Sequence, residues 1–193
     1  MFASLPPITR GIILANVAVF LLQSAARLDL SALALFPLGE GFQPWQLVTY
    51  AFLHASITHI FFNMFALFMF GGPLEEYWGS NRFSIYYLVC VVAAAATQLA
   101  TLYGSGSYEP TVGASGGVFG LLLAFAIYFP QQRLILVPVP IPLPAWLFVT
   151  LYGGLELFLG VTGSQTSVAH FAHLGGMLGG AVLLLLWRGQ NRY

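Results

Sequence analysis

The sequence predicts an all-α polytopic membrane protein, a bundle of six transmembrane helices whose fourth is short and submerged, and three observations carry that reading. Hydrophobic residues make up 59% of the 193-residue chain and charged residues only 6%, against roughly a quarter charged in ordinary soluble domains. Six apolar segments follow one another, each at or near the ~20 residues that a ~30 Å hydrocarbon layer requires at ~1.5 Å of rise per residue. The stretches between them are too short to make a separate water-soluble unit, so residues 1–193 are expected to form one membrane domain.

The first segment runs from Ile8 to Gln23. Ser24, Ala25 and Ala26 after it would suit a signal-peptide cleavage site, but the thin polar flank and the later spans favour a retained helix. The connection from Ala25 to Ser56 holds Phe42, Pro44 and Trp45 and is too apolar to be freely solvated; it either rests in the membrane interface or packs on the bundle. The second and third segments are Ile57 to Glu75 and Arg82 to Tyr103. Glu75 and Glu76, at the end of the second, are expected to tie down a turn. The fourth, Ser115 to Phe129, lies between Pro110 and Pro130 and is about 22 Å long, so its start should lie below the membrane surface. Pro138, Pro140, Pro142 and Pro144 keep the next connection non-helical before the fifth and sixth segments, Leu143 to Leu159 and Ala169 to Trp187.

Charge sets the expected orientation. With the N-terminus inside, Arg10, Arg82, Arg133, Arg188 and Arg192 fall on the cytoplasmic side and Arg27 alone outside, so both termini are expected in the cytoplasm, with the cell (inner) membrane as the location. Zero net charge and the absence of Lys remove the electrostatic case for nucleic acid as a partner. The lone Cys90 excludes a disulfide framework within the chain and a cysteine metal site.

Polar groups inside spans are costly, so they are where chemistry is sought. His59 and Asn63 are four apart and share one helix face; His173 lies about a turn into the sixth segment, and Ser115 opens the fourth within Gly113-Ala114-Ser115-Gly116-Gly117. All four lie at one depth, reached from the outer side. Glycines at 116, 117 and 120 and at 175, 176, 179 and 180 let the fourth and sixth helices approach closely, as a Ser–His hydrogen bond requires. In the chemistry this implies, His173 takes the Ser115 proton, Ser115 attacks a carbonyl, and His173 protonates the leaving amine. Amides at the start of the fourth helix, with His59 and Asn63, would hold the oxyanion. Asp29 is in the first loop, and Glu156, the one carboxylate near the right depth, is assigned to a contact with a neighbouring loop or to gating, so a dyad is expected, with Phe119 stacked on the imidazole. His54 and His170 are assigned supporting positions. A serine preceded by Gly113 and followed by Gly117 would suit a nucleophile elbow only with a strand before it, and none is expected here.

These residues resemble the rhomboid family of intramembrane serine proteases. Four motifs match in order: His59-x-x-x-Asn63, Gly71-x-x-x-Glu75-x-x-x-Gly79, Gly113-Ala114-Ser115-Gly116 and Ala172-His173-x-x-Gly176. The resemblance implies Ser115 as nucleophile, His173 as base, and His59, Asn63 and the Ser115 amide as the oxyanion hole, with Gly113, Phe119 and Gly176 supporting them. It also implies a rhomboid-type bundle in its minimal form, no cofactor, and transmembrane segments of other proteins as substrates reached through the lipid bilayer. Two positions depart from the family pattern: Trp45-Gln46 replaces a Trp-Arg pair, which puts anchoring of the first loop in doubt, and Phe119 stands where some members have Tyr. Two rival readings are a catalytically inactive relative that binds membrane helices and a metal or haem site built from His54, His59, His170 and His173. Against the second, His-Glu-x-x-His is absent and no carboxylate is expected near the pairs. Oligomeric state is left open.

Overall fold

Proline and glycine set the helix boundaries much as the sequence implies. The structure, a computed structural model, describes residues 5–39, 41–103, 109–135, 141–163 and 169–190; Pro138, Pro140 and Arg192 lie outside them. Helix α1 (Pro7–Ser24) starts on Pro6 and Pro7, which lack N–H groups a helix start would leave unpaired. A short α2 (Gln46–Thr49) interrupts the first connection. The second apolar segment is α3 (Ile57–Ala66), a π turn at Leu67–Gly71, and α4 (Gly72–Trp78). Gly79, at φ 78°, separates α4 from α5 (Ser80–Leu102). Then follow α6 (Ser115–Tyr128), α7 (Ala145–Thr162), which ends on left-handed Gly163, and α8 (His170–Gln190). Between α6 and α7 the chain forms a small antiparallel pair, β1 (Arg133–Ile135) with β2 (Pro142–Pro144).

The exterior is apolar, unlike that of a water-soluble fold. Leu14, Phe61, Phe62, Phe158, Leu185 and Leu186 are among many large apolar side chains facing outward, while Asn16, Asn63, Glu75, Glu156, His170 and His173 are buried. Among the described residues five helical spans are long and apolar enough to cross a membrane, which makes the chain an integral, multi-pass protein. Helix α6, at 14 residues, falls short of that length. It is instead the centre of the bundle: ten of its residues are buried, and α5, α7 and α8 all pack on it. A helix apolar on every side belongs in such a position. The α6–α8 contact is backbone to backbone, because a Cβ on Gly176 would collide with the Gly116 carbonyl.

The first connection takes one of the two alternatives left open. The segment packs on the bundle, with Leu35, Tyr50, Ala51 and Leu53 buried and the Tyr50 hydroxyl donating to the Val91 carbonyl of α5. Its anchoring, placed in doubt by the missing Arg, is supplied by Gln46, which is buried. The Gln46 amide donates to the carbonyls of Ala32 and Gly41 and accepts from the Phe36 N–H, so one neutral side chain satisfies three backbone groups of the loop. At the far end of the α3–α4 span, Glu75 ties down its neighbours. Its carboxylate accepts from the N–H groups of Ile8 and Thr9 and from the hydroxyls of Thr9 and Ser80, at 2.6–3.0 Å, and so caps the start of α1 from another helix.

Candidate active site

Ser115 is held by what comes before it. Thr111 pairs with Leu35 in an isolated antiparallel bridge, and the Gly113 N–H donates to the Tyr50 carbonyl at 3.0 Å, so the packed first connection fixes the chain entering α6. Among the described residues that single bridge is all the strand character before the serine. Gly113 has φ 129°, a conformation that L side chains rarely adopt, and a Cβ there would lie 2.7 Å from His59 Nε2. Only glycine lets the His59 ring and the backbone next to Ser115 come this close.

The serine and the histidine meet. Ser115 Oγ and His173 Nε2 are 2.8 Å apart, across the contact between α6 and α8. The Phe119 ring lies parallel to the His173 imidazole at 4.2 Å and 6°, one turn along α6 from the serine. His59 and Asn63 share a face of α3 beside Gly113, and Asn63 Nδ2 donates one hydrogen to the His59 carbonyl at 2.9 Å. His54 packs edge-on against His59, ring centroids 5.0 Å apart. Burial, and next the neighbouring His59, push His54 down to about 4, so it is neutral near pH 7.

The other side of His173 corrects the sequence reading, which expected no acid. Glu156 of α7 places Oε2 2.9 Å from His173 Nδ1 and 2.7 Å from His170 Nδ1, and all three residues are buried. Glu156 therefore contacts the imidazole itself, where a loop contact was expected. The reason is rotational: Ala145, Val149 and Glu156 are the buried residues of α7, a single stripe along one face, and that stripe faces α6 and α8. The sequence, apolar on every side of this segment, does not mark which stripe is buried or what it meets.

This also removes the stated objection to a metal, since Glu156, His170 and His173 do bring a carboxylate to two imidazoles. Ligands around a tetrahedral ion at about 2.1 Å sit roughly 3.4 Å apart. The observed 2.7 and 2.9 Å are hydrogen-bond separations.

A family model, the Rhomboid domain, matches residues 41–190, well over half of the chain. The chain belongs to the rhomboid family. Ser115, His173, His59, Asn63 and Glu156 all fall within the rhomboid match, whereas α1 precedes it. Among rhomboid relatives, this chain is similar to the Rhomboid protease GlpG of Pectobacterium atrosepticum, 27% identical over 96% of this chain and 64% of that protein. It is 32% identical to RHOMBOID-like protein 6, mitochondrial, of Arabidopsis thaliana, over 79% of this chain and 47% of that one. With the Rhomboid protease GluP of Bacillus subtilis it shares 29% identity over 70% of this chain and 24% of the relative. This rhomboid chain thus spans from about a quarter to two thirds of the length of these relatives.

Proposed function

We propose that this rhomboid is an intramembrane serine endopeptidase that cleaves transmembrane segments of other membrane proteins, with Ser115 as nucleophile and His173 as general base. The observation that carries the reading is the 2.8 Å contact between Ser115 Oγ and His173 Nε2 at the start of a buried helix. His173 Nε2 takes the hydroxyl proton as Oγ bonds to the substrate carbonyl carbon, and the same proton passes to the leaving nitrogen when the C–N bond breaks. The resulting acyl-enzyme is then hydrolysed by water. The negative oxygen of the tetrahedral intermediate is held by the Ser115 amide and neighbouring unpaired N–H groups at the start of α6, by His59, and by the hydrogen of Asn63 Nδ2 not used on its own helix.

In this reading α6 is the fourth of six spans and is about 21 Å long, shorter than the hydrocarbon layer. Its N-terminal amides need water or protein, so Ser115 opens into a hydrated pocket below the outer surface. Arg10, Arg82, Arg133 and Arg188 lie on the cytoplasmic side and Arg27 outside, with both termini cytoplasmic in the cell membrane. A substrate helix hides its amides and must unwind at the cut, which favours small or helix-breaking residues there.

The test is cleavage of a model transmembrane substrate in liposomes by wild type, Ser115→Ala and His173→Ala. Each variant is expected to lose activity by about 10³-fold or more while inserting and melting like wild type. Activity retained in the serine variant would overturn the mechanism. Substrate captured without being cut by the wild-type chain would instead support a helix-binding protein.

A further inference from the structure

An ionisable carboxyl buried in a membrane span is expensive to keep, and Glu156 is 4% exposed. Its two donors come from one turn of one helix: His170 and His173 are three residues apart on α8, their rings crossing at 88°, and both aim Nδ1 at the same oxygen, Oε2. We infer that Glu156 is a positioning residue for catalysis, making the Ser115–His173 pair a Ser–His–Glu triad. The inference rests on the proposed hydrolase reading and goes beyond it by assigning a charge to the far side of the base.

Proton placement gives Glu156 this role. An ionised carboxylate oxygen accepts only, so two imidazole nitrogens at hydrogen-bond distance from it are both N–H donors. His173 is thereby held as the Nδ1–H tautomer, and its Nε2 presents a lone pair to the Ser115 hydroxyl 2.8 Å away. When Nε2 takes the serine proton, the imidazole becomes a cation between the developing oxyanion and Glu156, and the carboxylate offsets that charge. As the C–N bond breaks, Nε2 gives the proton to the leaving nitrogen and Nδ1–H is unchanged throughout. His170, bonding the same oxygen, pins the carboxylate from a second direction. The Phe119 ring stacked on His173 fixes the plane of the imidazole, so rotation and tilt are both set.

A purely structural reading, in which Glu156 only ties α7 to α8, predicts loss of folding without a change in proton chemistry. Several groups face the base. They are Ser115 on α6, Glu156 with the nearby Tyr152 on α7, His170 on α8 itself and His59 on α3; α5 brings Tyr87 and Cys90 against Gly117 and Gly120, further along α6. All but Glu156 are unchanged in the isosteric Glu156→Gln variant.

Steady-state cleavage of the same liposome substrate by Glu156→Gln, across pH, is the first measurement. Per folded molecule, kcat is expected to fall about 10²- to 10⁴-fold with KM within twofold, and the acid limb of the kcat profile to move down by about one pH unit as the imidazolium loses its counter-ion. Glu156→Asp, which keeps the charge on a shorter stem, should bring the acid limb back toward wild type. The second measurement needs no variant: nitrogen-15 NMR of histidine-labelled wild type should show His173 protonated on Nδ1 and bare on Nε2 near neutral pH. Wild-type kcat and an unmoved acid limb in folded Glu156→Gln would overturn the proposal, as would an Nε2-protonated His173. These outcomes leave the hydrolase reading standing if Ser115→Ala is inactive, whereas an active Ser115→Ala would remove both.

Discussion

Gly113 shows how much of the site depends on one missing carbon. Its φ of 129° and the 2.7 Å approach of the His59 ring both exclude a side chain. Gly113→Ala should lower cleavage by about 10- to 100-fold, because the backbone entering Ser115 and a candidate oxyanion donor shift together. Comparing initial rates with the fraction folded checks this, and an alanine variant of wild-type activity would mean that His59 is not placed by Gly113. At this scale the sequence was unevenly legible. Ser115, His59, Asn63 and His173 stood out because polar groups are rare in apolar spans and their spacings place them at one depth. Glu156 was equally rare and at a suitable depth, but its partner depends on how α7 is rotated about its own axis. Residue spacing identifies the face that Glu156 shares with Ala145 and Val149; it does not say what that face meets.

Among the elements, α6 and the ends of its neighbours carry most of the design. The five long spans and α6 begin and end within a few residues of the positions expected from apolar runs and prolines, since bilayer thickness and helix breakers leave little freedom. The short elements were less legible. The β1–β2 pair and α2 are made by tertiary contacts, and the anchoring of the first loop by Gln46 uses amide bonds that no periodicity announces. Glu75 supplies an element-scale prediction. It lies roughly 24 Å along its helix from His59 and accepts four hydrogen bonds that hold α1 and α5. Glu75→Gln leaves at least one buried donor without its acceptor, so thermal unfolding in detergent should show a loss of about 2–3 kcal/mol. Cleavage by the folded fraction should stay near wild type. A variant that melts normally would show that α1 is held by its apolar contacts alone.

At the scale of the whole molecule, the apolar exterior describes a protein built to sit in lipid, and in the proposed reading its buried polar groups bring water chemistry there. Membership of the rhomboid family and the five long apolar spans are consistent with one another, and the short central helix explains how a serine on a helix start is placed below the surface in the proposed reading. That reading requires the Ser115 hydroxyl to be both activated by His173 and open to small molecules from water. Labelling of the reconstituted protein with a fluorophosphonate, mapped by mass spectrometry, tests both requirements at once. A single covalent adduct on Ser115, lost in folded His173→Ala, is expected; an adduct on another residue, or none on a folded and inserted wild-type chain, would overturn the Ser115–His173 mechanism.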